Sequence, residues 1–226
     1  MSISAKKDSC LTCEAKQHSA LCSSPEVVRV IDKVKVVCNY KAGQIIFQQG
    51  QDPLGLFAVQ SGLVKLEVNS MDGHAHTLRI LGPGGIAGYR SLFARETYKA
   101  NAIAIEDTSL CYIPKTELFQ IFAQHPEATL NFMQSICKDL GSAEEKWVAQ
   151  MDKEASERIA EAILFLQDHF NDQKWTRKEI AQWAGTTPET VMRTLAQFEK
   201  EGLIDQAGRK IIILNRPGIQ SRSTHL

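Results

Sequence analysis

The stretch "WTRKEIAQWAGTTPETVMRTLAQFEKEGLI", Trp175 to Ile204, constrains the fold of this chain more than any other. Thr176 and Glu179 spell a capping box, T-x-x-E, in which each side chain answers an orphan backbone amide, so a helix opens here and runs through Ala184. Gly185 supplies a turn. Thr187 then caps a second helix with Pro188 at its first position, where a missing N–H costs nothing. Ile180, Ala184, Val191, Leu195 and Phe198 fall where two such helices would bury against each other. The spacing predicts a helix-turn-helix. Beyond it, "LIDQAGRKIIIL" reads as a hairpin, a wing turning at Ala207-Gly208 with Arg209 and Lys210 beside the turn.

In such a motif the start of the second helix, from Pro188 onward, meets base edges in the major groove. Glu189 and Arg193 lie four apart and share one face. A glutamate can accept from cytosine N4, and an arginine can bind guanine O6 and N7 together. Met192 can touch a thymine methyl, while Thr190, Lys178, Arg209 and Lys210 are placed for phosphates, which set register and not sequence. The plainer use of Glu189 and Arg193 is a surface ion pair within a helical hairpin. Charge favours the nucleic-acid reading modestly. The chain has no net charge, but residues 171–226 hold nine Lys or Arg against six Asp or Glu, leaving an acidic body ahead of a basic tail.

Upstream, Val27 to Pro114 is strand-like: short apolar segments such as Ile45–Phe47 and "LFAVQSGLVKLEV", broken by Gly43, Gly50, Ser61-Gly62 and a hairpin signal at Asp72-Gly73. Many short strands with regular glycine breaks predict a β-barrel or jelly roll. "LGPGGIAG" fits a barrel turn, since it lacks the frame of a phosphate-binding loop. From Lys115 to about Asp168 the text turns helical, and Met133, Ile136, Leu140, Ala143 and Trp147 recur at 3-4-3-4 spacing. That stripe suits a partner helix in a homodimer, or packing onto the chain's own barrel. "ERIAEAILFLQDHF" is a separate amphipathic helix leading into the basic module.

Six cysteines remain to be explained. Three of them, Cys10, Cys13 and Cys22, stand in a polar leader as C-x2-C-x8-C. No apolar run approaches a membrane span and none follows the N-terminal lysines, so the chain is expected in the cytoplasm, away from membranes, with reduced thiols. There such a cluster binds metal or does redox chemistry more often than it staples a fold. Zinc, an iron–sulfur cluster and a Cys10–Cys13 dithiol switch all draw on the same residues. A thioredoxin-like oxidoreductase would place C-x-x-C at a helix start after a strand, which the leader lacks, so an enzyme is not expected. Cys38 reads as a buried strand residue and Cys137 as a small packed hydrophobe beside the seam. His74 and His76 flank the hairpin and read as solvated rather than as haem ligands, and His18 lies between Cys13 and Cys22.

Barrel, long helix and C-terminal winged helix-turn-helix together resemble the CRP/FNR superfamily of bacterial transcription regulators. "GQIIFQQG", "LFAVQSGLVKL", "GYRSLF", "EDTSLCYIP" and "TRKEIAQWAGTTPETVMR" carry the resemblance, which covers nearly the whole chain. It implies an α+β architecture: a cysteine-rich leader over 1–26, a cyclic-nucleotide-binding-type β-barrel (jelly roll) over 27–122, a dimerisation helix over 123–152 and a winged helix-turn-helix over 153–226. It further implies a homodimer on a palindromic double-stranded DNA operator, with RNA polymerase as a partner. Cyclic-nucleotide-binding members carry a Glu in a G-E-L stretch and an Arg-Ser or Arg-Thr pair; here Tyr89 and Lys99-Ala100 stand in those places, which argues against such a ligand. Resemblance to FNR instead implies an oxygen- or nitric-oxide-labile [4Fe-4S] cluster on Cys10, Cys13, Cys22 and Cys111. Two departures mark this chain: the spacing to Cys22 is eight where five is typical, and Met192 stands where relatives carry Ser or Gly, leaving the half-site open. Ala143 puts no charge on the seam, so the dimer is expected to outlast cluster loss and to respond by changing angle.

Overall fold

The computed structural model describes residues 9–70, 73, 75–170 and 173–223; Asp72 and His74 of the expected hairpin turn lie outside them. The chain forms two compact units, one of residues 1–74 and 78–140, the other of 75–77 and 141–226.

Eight strands make two four-stranded sheets, all in the first unit except residues 75–77 of the last one named. One runs in the order β1 (Val36–Tyr40), β8 (Thr108–Pro114), β3 (Gly55–Ser61), β6 (Ile86–Ala87); the other runs β2 (Ile45–Phe47), β7 (Asn101–Ala104), β4 (Val64–Asn69), β5 (Ala75–Leu81). Phe47, Val59, Val64, Leu81, Tyr98, Ala102 and Leu110 fill the space between the sheets. Gly55 explains how closely β3 approaches β8: a Cβ there would stand 2.3 Å from the Ile113 carbonyl oxygen. Gly62, at φ +84°, turns β3 into β4 in a conformation that side-chain-bearing residues avoid.

The segment expected to begin the strands is helical at its start. Helix α1 spans Pro25–Val34, opened by Ser24, whose hydroxyl accepts from the Val27 amide, with Pro25 in the first turn. Val27, Val28 and Ile31 share its buried face, and that helical spacing overrides the strand preference of β-branched residues. The leader is also no loose tail. Cys10 and Leu21 are buried in a second core with α1, Leu56 of β3, Ile113 of β8 and Phe132.

A short helix α2 (Tyr89–Ala94) interrupts the strands between β6 and β7, and after the barrel come α3 (Lys115–Gln124) and the 27-residue α4 (Pro126–Asp152). On α4, Ala128, Phe132 and Ile136 recur every fourth residue and face the core. Ile136 therefore leaves the expected seam. The outward stripe is Leu130, Met133, Cys137, Leu140, Trp147 and Met151, all exposed, with Ala143 exposed beside it. Cys137, expected to be packed, is an outward residue of this stripe in the single chain.

The second unit holds α5 (Ala155–His169), α6 (Arg177–Ala184), α7 (Pro188–Lys200), the hairpin β9 (Ile204–Ala207) and β10 (Lys210–Ile213), and α8 (Arg216–Ser223). Ala207 pairs with Lys210, so the wing turns on Gly208-Arg209, one residue later than expected. Among the described residues no helix is long and apolar enough to cross a membrane.

Candidate metal centre and nucleic-acid interface

Alternation along β8 decides where its cysteine looks. Leu110 points between the sheets, so Cys111 points out of the barrel on the side where the leader packs. The leader meets it in tight turns. The Cys13 amide donates to the Cys10 carbonyl at 3.4 Å, Cys13 starts a 3-10 turn over Glu14–His18, and the Cys22 amide donates to the Ser19 carbonyl at 3.0 Å. Cys10, Cys13, Cys22 and Cys111 thus line one cavity of about 410 Å³, mouth included, with Ile31, Ala58 and Ile113 among its apolar walls. Glycine permits the docking: a Cβ on Gly84 would stand 2.6 Å from His18 Cβ and 2.7 Å from its carbonyl carbon. "LGPGGIAG" is a turn as expected, and its Gly84 also seats the leader, a use that spacing along the sequence does not reveal.

Three of the thiols, Cys10, Cys22 and Cys111, sit in surroundings that resist anions. Burial pushes Cys111 up to about 12 and Cys22 up to about 11, with the neighbouring cysteines adding to both. Cys10 is raised by burial, against the pull of Lys35. That lysine, absent from the sequence-derived site, donates to Cys10 Sγ at 3.0 Å and pairs with Asp32 at 3.1 Å. The Ser19 hydroxyl, also on the cavity wall, is buried beside Cys22 and works against the rise in that thiol's pKa. Among the described residues no three Cys, His, Asp or Glu side chains converge on a point where one metal ion would be held. Cys38 is buried on β1, its register partner being Leu110, and burial raises its pKa too.

The residues around Tyr89 and Lys99, where the family resemblance looked for nucleotide-binding groups, have partners within the fold. Tyr98, buried, stacks on Phe47 at 3.8 Å between the sheets. Lys99 pairs with Glu96 at 3.5 Å, and Arg90 pairs with the same carboxylate at 3.0 Å. The Tyr89 hydroxyl accepts from Arg79 at 2.7 Å and donates to Asp139 at 2.6 Å.

In the second unit the expected caps are in place. Thr176 Oγ1 accepts from the Glu179 amide at 3.1 Å while Glu179 accepts from the Thr176 amide at 2.7 Å, and the Thr187 hydroxyl accepts from the Thr190 amide at 3.3 Å. Gly185 closes α6 at φ +63°. Arg158 of α5 donates to the Ala184 carbonyl at 2.8 Å and to Gly185 at 3.3 Å, pinning the turn between the helices. Val191, Leu195 and Phe198 bury one side of α7, leaving Glu189, Met192 and Arg193 exposed on the other, with Pro188 and Thr190 half-buried. Lys178, Arg209 and Lys210 are exposed on α6 and the wing. The Glu189 carboxyl is held below its ordinary value by its own backbone amide and the Thr187 hydroxyl, so it stands ready as an anion and acceptor. Arg177, which sequence reasoning passed over, ties α6 to the wing by donating to Gln206 Oε1 at 2.5 Å.

Residues 37–125 match the cyclic nucleotide-binding domain model and residues 157–222 the Crp-like helix-turn-helix domain model. The chain is 30% identical to the transcriptional activator protein anr of Pseudomonas aeruginosa, over 77% of this chain and 75% of that protein. It is 32% identical to the cyclic AMP receptor protein of Thermus thermophilus, over 73% of this chain and 77% of that one. Among solved structures, FixK2 from Bradyrhizobium japonicum superposes with a TM-score of 0.75 at 21% identity, covering 85% of this chain and 99% of that one, a likeness of fold.

Proposed function

The chain belongs to the CRP/FNR family of transcription regulators, and from that premise we propose that it senses oxygen or a related oxidant through a [4Fe-4S] cluster held by Cys10, Cys13, Cys22 and Cys111. Regulators of this family bind DNA as dimers. The observation that carries the reading is the meeting of three leader thiols with one thiol of a distant barrel strand around a single cavity. The donor set suits the group, because a cubane takes four soft thiolates, one per iron. A single zinc ion would call on the same four thiols, and iron and sulfide analysis separates the two. The positive core would also relieve the cost of ionising Cys10, Cys22 and Cys111 in apolar surroundings. When bound, such a cluster supplies a centre that oxygen or nitric oxide dismantles.

The chain's own residues supply the rest. Gly84 seats the leader, and Asp32 accepts the Cys10 amide at 2.7 Å, so the leader's place against β8 depends on groups that surround the thiols. Loss of the group would release the leader from a core that also contains Phe132 of α4, the helix whose outer stripe serves the dimer. A cyclic nucleotide is the weaker reading, since Tyr98 and Phe47 stack between the sheets and Lys99 is paired with Glu96. On DNA, Glu189, Met192 and Arg193 read bases, aided by Pro188, while Thr190, Lys178, Arg209 and Lys210 hold the backbone. RNA polymerase is the further partner this role implies.

Purification without air, with iron and acid-labile sulfide analysis, tests the reading. Equal amounts of iron and sulfide, four per chain as the cluster formula demands, should be present and should disappear in Cys13→Ser and Cys111→Ser but not in Cys38→Ser. A colourless, iron-free chain that binds its operator equally well would end it.

A further inference from the structure

We propose that Lys35 is the built-in counter-cation of the thiolate centre, a positioning residue that holds positive charge behind the four sulfurs where water cannot. The inference rests on the iron–sulfur reading above. Lys35 follows the last turn of α1, 25 residues beyond Cys10. Its side chain is 1% exposed, yet its ammonium lies 3.0 Å from Cys10 Sγ. Four thiolates bring more negative charge than a cubane core cancels, and uncompensated charge in an apolar wall is costly. Lys35 places the compensating charge against one of the sulfurs.

Asp32 fixes that charge in position. Its carboxylate pairs with Lys35 at 3.1 Å and accepts the Cys10 amide at 2.7 Å, so one aspartate orients both the cation and the ligand loop. Asp32 is 27% exposed, so water screens its charge more than it screens that of Lys35. Lys16, also on the cavity wall, donates its ammonium to the Leu11 carbonyl in an exposed bond, where its charge is screened as well. The field at the sulfurs is therefore set chiefly by Lys35 and trimmed by Asp32. Positive charge there opposes removal of an electron from the bound centre, so it slows oxidative loss, and Asp32 works in the opposite direction.

The test uses full-length protein prepared without air: wild type, Lys35→Met, Lys35→Arg and Asp32→Asn, each assayed for iron, thermal midpoint and the rate at which visible absorbance is lost on mixing with air-saturated buffer. Lys35→Met should lose absorbance roughly tenfold faster than wild type. Lys35→Arg should stay near wild type, and Asp32→Asn should decay more slowly. Opposite signs separate charge from packing, because a loosened site would speed both. A Lys35→Met chain that melts as wild type but takes up no iron also supports the proposal. If that variant does not fold, Asp32→Asn decides: decay equal to or faster than wild type overturns the idea. A fully loaded Lys35→Met chain decaying at the wild-type rate overturns it while leaving the cluster reading standing, and iron-free wild type overturns both.

Discussion

Arg79 grips Asp139 through two parallel hydrogen bonds, Nη1 to Oδ2 at 2.7 Å and Nη2 to Oδ1 at 2.6 Å, and so ties β5 to α4 across sixty residues of sequence. Tyr89 of α2 completes the group by donating to Asp139 Oδ2 at 2.6 Å. Burial, with the Asp139 hydrogen bond, pushes its phenol up to about 12, so it remains a donor at any working pH. Tyr89 is the residue that the family resemblance sets where a nucleotide-binding Glu would be expected. Here that position fastens the barrel to the long helix.

Removing Asp139 should therefore be felt. Asp139→Ala leaves Arg79 half-buried and without its carboxylate, at a cost of about 1–3 kcal/mol. The two side chains are 31% and 24% exposed, so screening favours the lower end of that range. Tyr89→Phe should cost about 1 kcal/mol. Urea unfolding at fixed protein concentration reads both, and an Asp139→Ala midpoint unchanged from wild type would show that the clamp contributes nothing.

The DNA surface makes a contrasting pair of predictions. Arg193→Ala should weaken binding to the best operator by about 1–3 kcal/mol and relax one base position, because Arg193 is exposed on the open face of α7. Lys178→Ala should weaken all sequences alike and lower the salt slope by about one. Titrations on base-substituted operators at two salt concentrations distinguish them. Equal losses on every sequence for Arg193→Ala would move the reading face elsewhere.

Why was the helix-turn-helix legible and the clamp not? Thr176, Glu179, Gly185, Thr187 and Pro188 act within four residues of themselves, so their geometry is written locally. Helix α1 had a local signal as well, Ser24-Pro25-Glu26, but the run of Val and Ile behind it speaks for a strand until the buried face is known. Ile136 failed differently. Two apolar stripes run along α4, and only the packed core assigns Ile136 to the inner one with Phe132. Arg79 meets Asp139, and Lys35 meets Cys10, through tertiary folding, which no spacing encodes. Cys111 entered the site by family resemblance, and the strand's alternation then explains its direction.

Lys146 gives a pH signature in the second unit. Its ammonium lies 3.5 Å from the centre of the Trp183 ring, and burial pushes its pKa down to about 8 from 10.5, with Glu161 pulling the other way. Between those two values the unfolded chain binds the proton that the folded chain has released, so stability rises with pH through that window and is flat below it. Relative to Lys146→Met, wild type should thus gain stability between about pH 8 and pH 10. Denaturant melts of both proteins across that range check it; parallel curves would mean that the amine stays charged in the fold.

Strand β8 is hydrogen-bonded on both flanks, to β1 and to β3, whereas the leader opposite is held by local turns, the Asp32 contacts and the packing of Cys10 and Leu21. Amide exchange should accordingly be slowest around Cys111 and fast around Cys13. The two walls of the cavity will then never open together: any spontaneous breathing begins at the chain's N-terminal end, leaving one sulfur anchored while three drift, and closure is always a return to the same fixed post.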